Sequence, residues 1–312
     1  MFLDAARSAR KSHRSGLLAV PLLLAVSGCS IQRYAINSVG DLLAAGGSVY
    51  EADNDLALIK EALPFGLKLI ESLLAEQPEH RGLLLAAARG YLLYGYAFVS
   101  IPADEARFEN VEHAQALRQR SRNLYLRAHA YASRALALDY PNIDSALRID
   151  PSEALLRVRA PERDVPALYW NAAALGLAIS ASRNEPALLA RLPEVQAMLQ
   201  RAIVLDEDWN AGALHEFAIN LAGASSTSAD TAGLEEHYQR ALELSAGKRA
   251  GLHVTLAEIV AVPEQNRARF VALLERALAV DVDAYPEQRL LNVVAQQRAH
   301  WLLDNIDELF LE

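Results

Sequence analysis

The sequence predicts an all-α fold made of paired, repeating helices, and three observations carry that reading. Ala and Leu dominate a chain of 312 residues that is 52% hydrophobic and only 7% aromatic, a composition that favours helix over strand. There are no alternating β-branched runs bounded by hairpin turns. And one short pattern returns: Arg134-Ala135-Leu136-Ala137-Leu138-Asp139, Arg201-Ala202-Ile203-Val204-Leu205-Asp206, Arg240-Ala241-Leu242-Glu243-Leu244-Ser245 and Arg276-Ala277-Leu278-Ala279-Val280-Asp281.

The steps from 134 to 201, 240 and 276 are 67, 39 and 36 residues, so the first spans about two of the others. A step in the mid-thirties is the length of a tetratricopeptide-type (TPR) helix–turn–helix repeat, roughly 34 residues. The small Ala lets the second helix of a pair approach its neighbours, and the flanking aliphatic residues fill the groove between repeats. Glu71-Ser72-Leu73-Leu74-Ala75-Glu76-Gln77-Pro78 is a degraded copy one step earlier.

Residues 1–28 stand apart from this pattern. Arg7, Arg10, Lys11 and Arg14 precede an apolar run, Leu17 to Val26, that is too short for a stable bilayer span. Val26-Ser27-Gly28-Cys29 follows and reads as a lipobox. The thiol accepts diacylglycerol and the small residues admit the peptidase, so residues 1–28 are expected to be a lipoprotein signal peptide and Cys29 the acylated first residue. Cys29 is the one cysteine of the chain, so the mature protein forms no internal disulfide. Ser30 after it suggests passage to the inner leaflet of the bacterial outer membrane, with the folded part in the periplasm. Cleavage leaves 26 basic against 38 acidic residues, a balance of −12. Such a surface repels phosphate backbones, so nucleic acid is not an expected partner.

The mature chain, 29–312, reads as one helical-repeat domain. Ser30 to Asp41 is a tether and Leu42 to Tyr50 starts a helix. Asp53, Asn54 and Asp55 offer caps for a helix over 56–63, and Pro64 is expected to begin another through Glu76. Gly82 to Val99 forms a long helix loaded with Tyr91, Tyr94, Tyr96 and Phe98. Residues 104–139 form one or two more. Residues 140–165 carry three prolines and read as the longest irregular connection, with Asp150-Pro151-Ser152-Glu153 capping a short helix inside it. Residues 166–182 are almost free of charge and predict a helix buried on all sides, with Asn171 inside it. An insertion at 184–193 precedes the helix of Arg201-Ala202, and Trp209 to Ala222 is the next first helix. Ser225 to Asp230 is a Ser/Thr loop. Helices over 234–244, 251–260, 267–280 and 286–305 complete the series. The last bears Gln296, Gln297, Arg298 and His300 around Trp301 and reads as a polar cap.

Catalytic patterns are missing. There is no dinucleotide-binding glycine motif and no nucleophile elbow, and Gly247-Lys248 is followed by Arg249 rather than Ser or Thr. The eight histidines include no pair three or four residues apart, so no metal site is expected from local spacing. The reading is therefore a non-enzyme without a cofactor beyond the acyl groups. First helices line the concave face of such a stack, which makes Tyr91, Tyr94, Trp170, Asn171, His215 and Asn220 the candidate groove residues.

Several stretches together resemble one family. They are Ala62-Leu63-Pro64-Phe65-Gly66-Leu67-Lys68-Leu69-Ile70-Glu71-Ser72-Leu73-Leu74, His80-Arg81-Gly82-Leu83-Leu84-Leu85, Leu168-Tyr169-Trp170-Asn171-Ala172-Ala173, Leu214-His215-Glu216-Phe217, Arg289-Leu290-Leu291-Asn292 and Gln297-Arg298-Ala299-His300-Trp301-Leu302-Leu303. In order, over nearly all of 29–312, they resemble the T component of TPR-protein-associated TRAP transporters. The resemblance implies an α-solenoid of degenerate TPR-like helix pairs with a central cleft or pore. It implies a possible homotrimer and a periplasmic TRAP-type substrate-binding protein as partner. The cargo it implies is a small hydrophobic or organic-acid ligand. A second reading stays open, an envelope-assembly TPR scaffold lipoprotein that binds peptide segments.

Overall fold

The structure, a computed structural model, describes residues 47–182, 184–224 and 231–311. The expected signal peptide, lipobox with Cys29 and tether, and the expected Ser225 to Asp230 loop, lie outside the described residues. Every regular element among the described residues is helical.

A short helix α1, Gly47–Glu51, precedes α2, Leu56–Glu76. Asp55 caps α2 by accepting the N–H groups of Ala57 and Leu58, both at 3.0 Å. Pro64 does not divide α2 as expected but sits inside it. The hydrogen bond it forfeits would go to the carbonyl of Lys60, an exposed residue, where water can replace the missing donor. Next come α3, Arg81–Gly95, a π-helical turn Tyr96–Ser100 and α4, Ile101–Ala106. The backbone stays helical through both junctions, so the expected helix over 82–99 is a longer rod with a widened turn in its middle.

After α5, Val111–Ala137, the stretch expected to be irregular folds into α6, Ile143–Ile149, and α7, Pro151–Leu155. Asp150 caps α7 by accepting Glu153 N–H at 3.0 Å, as its sequence predicts. The helix expected from Pro166 begins instead at Pro161, as α8, Pro161–Ser180. The cause is Asp164, which is fully buried. Its carboxylate accepts the N–H groups of Arg159 (3.1 Å) and Ala160 (2.9 Å) and the Tyr140 hydroxyl (2.6 Å), which fixes the entry to the helix one turn earlier.

The insertion before the next helix contains α9, Pro186–Leu189, and then α10, Leu192–Leu205, follows. Trp209 stays outside α11, Ala213–Ala224. Asn210, Ala211 and Gly212 take φ values of 48°, 51° and 83°, which hold the chain out of right-handed helix. A Cβ on Gly212 would stand 3.0 Å from the backbone of Ala241, so this turn has room only for glycine. The chain ends with α12, Thr231–Ser245; α13, Ala250–Leu256, continued by a second π-helical turn Ala257–Ala261; α14, Arg267–Leu278; and α15, Arg289–Asp304, with short 3-10 turns on either side.

Each of these long helices packs on the next, and α3 also meets α8, α8 meets α11, α11 meets α13 and α13 meets α15. The four repeated alanines, Ala135, Ala202, Ala241 and Ala277, lie on the intervening helices α5, α10, α12 and α14 and are fully buried. Finally α15 returns to α1 and α2, and Arg289 Nη1 donates to the carbonyl of Ala52 at 2.7 Å. The last helix is therefore not a free polar cap. Gln296 donates to the carbonyls of Ala277, Leu278 and Val280, closing the end of α14. Arg298 is 6% exposed and points away from solvent.

Glu71 ties α2 to α5. It accepts the Tyr131 hydroxyl at 2.7 Å and Lys68 Nζ at 2.8 Å and pairs with Arg127. Burial works to raise its pKa, but the hydrogen bonds of Lys68 and Tyr131 and the charge of Arg127 prevail and hold it at about 2.

Two outcomes follow. Replacing Ala202 or Ala241 with Leu overpacks a helix contact and is expected to cost about 1–3 kcal/mol, read as a lower urea midpoint at unchanged slope. The Glu71 carboxylate binds protons more readily when unfolded, so its stabilising contribution is complete above pH 4.5 and is lost as pH falls towards about 2. Glu71→Gln is therefore expected to be less stable than the parent at pH 6, with the difference shrinking on acidification through that window.

Candidate functional site: a cavity between two π-helical turns

Both π-helical turns border the same cavity. It measures about 210 Å3 and runs between α4, α8, α11 and α13, with Ser100 from the first turn and Glu258 and Ile259 from the second on its walls. A π turn inserts an extra residue into an α-helix and re-aims the side chains beside it, and such turns recur at functional sites. Here they aim Tyr96 and Glu258 inward.

Tyr96 borders this polar cavity and two smaller ones. One, about 70 Å3, is mostly apolar and lies between α2, α3 and α15, walled by Ile59, Leu63, Leu67, Leu93, Leu291 and Val294, with the ion-paired Glu51 and Arg89 also on its wall. The other, about 60 Å3, is walled by Arg249, Glu216 and Asn292 and shares Leu291 and Val294 with the apolar cavity and Thr255 and Arg298 with the polar one. The three spaces form an interior that is apolar at the α2 end and charged at the α11–α13 end. Tyr96 itself is 37% exposed where it borders these spaces, but crowding of its hydroxyl and the negative charge of Glu258 hold that hydroxyl far above its ordinary pKa.

Two arginines organise the charged end. Arg249, 8% exposed, donates through Nε to Glu216 Oε2 at 2.8 Å and through Nη1 to Gln288 at 3.0 Å. A Cβ on Gly251 would fall 2.9 Å from Glu216 Oε1, so glycine there keeps this pair seated against α13. Arg298 donates through Nη2 to Glu258 at 2.7 Å, and its guanidinium lies 4.7 Å from the Trp301 ring centroid. Its Nη1 is buried without a hydrogen bond, and Glu105 stands 3.6 Å from it.

The sequence-predicted residues fall in different places. Asn220 lies on the wall of the polar cavity, with Nδ2 3.5 Å from Thr255 Oγ1. Trp170 lines an open cleft of about 450 Å3 with Trp209 and the Arg89–Glu51 ion pair, 2.9 Å apart, a pair that this cleft shares with the apolar cavity. Its ring meets those of Tyr169 (4.8 Å) and Trp209 (6.4 Å) edge-on. Tyr91 is 4% exposed and stacks on Tyr131 in the core. Tyr94 is half-buried against Phe98. Asn171 is fully buried and donates to Ser133 at 3.2 Å. His215 is buried, its Nδ1 2.8 Å from His237 Nδ1 and its Nε2 3.1 Å from Glu207. The fold thus brings together two histidines that lie 22 residues apart in the chain.

Sequence reasoning missed Tyr96, Glu258 and Arg298 as one group. Arg298 was legible as a polar residue beside Trp301, but only the packing of α15 against α13 turns it inward to Glu258. No linear signal marks the π turn that presents Glu258.

His253 sits on α13 directly behind Thr255, 5% exposed, with Nδ1 2.8 Å from the Tyr238 hydroxyl. Burial and then Arg276 push its pKa from 6.5 down to about 4. The unfolded chain takes up that proton first, so this wall of the cavity is fully stabilised above pH 6.5 and weakens as pH falls towards about 4. Urea midpoints measured across that range are expected to fall, and His253→Gln is expected to flatten the fall.

A family model described as TRAP transporter T-component matches residues 52–310. An uncharacterized protein of Treponema pallidum (strain Nichols) is 30% identical over 307 residues, covering 93% of this chain and 95% of the relative.

Proposed function

The chain belongs to the TRAP transporter T-component family, and from that premise we propose that it is a lipid-anchored periplasmic accessory protein that docks the substrate-binding P component and helps handle a small organic ligand. The observation that carries this reading is the interior around Tyr96, which has space and polar groups suited to binding a small ligand. The helices that meet in series, α3, α8, α11, α13 and α15, correspond to the first helices of a TPR-like α-solenoid, and the cavities lie along them. The buried alanines of the alternating helices support the same arrangement.

In this reading Cys29 carries diacylglycerol and a further acyl chain, and Ser30 directs the protein to the inner leaflet of the outer membrane. A single acyl chain holds a protein only marginally, whereas several hold it stably. The acidic folded part stays in the aqueous periplasm, and a homotrimer would present several interiors to its partners. Cys29→Ser is expected to abolish acyl labelling in the native host and leave uncleaved precursor. An unlabelled wild-type protein would remove the anchor from the account.

The partner is tested by sedimentation velocity with a TRAP-type binding protein from the same organism, at roughly 10 µM, where a Kd near 1 µM leaves most of the limiting species bound. A complex is expected. If both folded proteins sediment independently, with and without ligand, the transport role yields to the peptide-scaffold reading. The open aromatic cleft at Trp170 and Trp209 would then be the groove to examine.

A further inference from the structure

Two histidines meet where α12 packs on α11. His215 stands in the first turn of α11 and is 5% exposed, and His237 lies half-buried in the middle of α12. Their Nδ1 atoms are 2.8 Å apart and their ring centroids 5.0 Å. On its other side His215 Nε2 lies 3.1 Å from Glu207 Oε1. Arg240 donates twice to Glu207, at 2.9 and 2.7 Å, and these bonds hold the carboxyl at about 2, so it stays ionised. An ionised carboxylate only accepts. His215 Nε2 therefore carries a hydrogen, and His215 Nδ1 accepts one from His237 Nδ1. A single proton fills the gap between the two rings.

The charged groups around the pair are already engaged. Asp208 stands 4.0 Å from the Arg240 that holds Glu207, and Arg240 also donates to Glu243 at 3.2 Å. Glu216, beside His215 on α11, is bound by Arg249. On α12 Glu236 favours the charged form of His237, but burial and the charge of His215 outweigh it and hold the His237 pKa below 6.5. Of the elements packed on α11, α13 brings His253, which is bonded to Tyr238, and the second π turn brings Glu258, which is bonded to Arg298. On α10 Arg201 donates to the carbonyl of Val158, and on α8 Arg163 and Asp164 pair with each other. Glu207 thus touches the pair with its charge already matched by Arg240.

We propose that His215 and His237 form an acid-operated latch: with one proton between them they hold α12 on α11, and with two they part and release α12 from the back of the cavity wall. A proton taken up by His237 at Nε2 leaves the bond between the rings intact. The next, taken up by His215 at Nδ1, sets two N–H donors and two positive charges against each other over 2.8 Å with no acceptor between them. The hinge of this motion is the tight contact of Gly212 with Ala241 at one end of the helix pair. At the other end Leu234 of α12 shares an apolar cluster with Ile219 of α11. Meanwhile α11 is tied to α13 by Glu216 with Arg249 and by Asn220 with Thr255. It lines the polar cavity with Phe217, Asn220 and Leu221, so the latch couples proton uptake to that wall. The latch stands on this contact and not on the ligand-handling role proposed above.

Histidine-resolved NMR titration and hydrogen exchange of the purified full chain, across the histidine range of about pH 5–8, test this. His215 and His237 are expected to titrate as one coupled pair in two steps, the second below 6.5. The open form binds one proton more than the closed form. Exchange of α12 amides, corrected for the intrinsic rate, is therefore expected to rise about tenfold for each unit that pH falls below 6.5, until the second step is complete. His237→Gln can still donate to His215 Nδ1 but takes up no proton, so it is expected to abolish the rise, and His237→Asn serves if the first variant does not fold. The rise is expected to persist in His253→Gln, which separates it from the titration behind Thr255. Four results would overturn the latch: independent single-step titration of the two rings, α12 exchange that ignores pH, an equal rise in the His237 variant, or loss of the rise in His253→Gln.

Discussion

The closeness that alanine permits governs this molecule. Ala135, Ala202, Ala241 and Ala277 present a single methyl group where four alternating helices press against their neighbours, and none is exposed. A larger side chain at any of them would push two helices apart by the width of the added carbons, and packed interiors absorb such changes poorly. Because these contacts are tight on the α5, α10, α12 and α14 side, α3, α8, α11, α13 and α15 can lie against one another in series. That series brings α15 back to α1 and α2 and encloses the space around Tyr96.

Charge placement depends on the same closure. Arg298 approaches Glu105 only because the last helix lies beside residues from the first third of the chain, whereas its bond to Glu258 comes from the packing of α15 on α13. Arg249 and Glu216 form an equivalent pair one helix away. Pairs of this kind add little net stability, because the cost of desolvating each ion offsets their attraction, but breaking one leaves a buried charge behind. Their effect is to fix which helices are neighbours and to set a polar end and an apolar end in one interior.

Much of the architecture was legible in the sequence, since it rests on local rules. The repeated Arg-Ala-aliphatic pattern locates the alternating helices, Asp150 and Asp55 cap where their sequence says they should, and Asn171 is inside as the charge-free run around it requires. The departures have tertiary causes. Asp164 draws the start of α8 back to Pro161 by collecting backbone donors and the Tyr140 hydroxyl. Pro64 stays within α2 because its lost bond faces water. For the site the sequence was less informative. Trp170 and Asn220 line open space, whereas Tyr91 and His215 serve packing and hydrogen bonding in the interior. An aromatic or polar residue on a first helix has the same sequence signature whether it faces a cavity or a neighbouring helix. The π turns that distinguish these outcomes carry no local pattern.

The central claim is that this T-component family member works through the interior enclosed by its serial helices. Hydrogen exchange tests it most directly, because it reads each π-helical turn separately. On adding the TRAP-type binding protein loaded with its ligand, amides of Tyr96–Ser100 and Ala257–Ala261 are predicted to gain protection together, since both turns border one cavity. Protection confined to the outer helices α5, α10, α12 and α14, with both turns exchanging as before, would contradict the account.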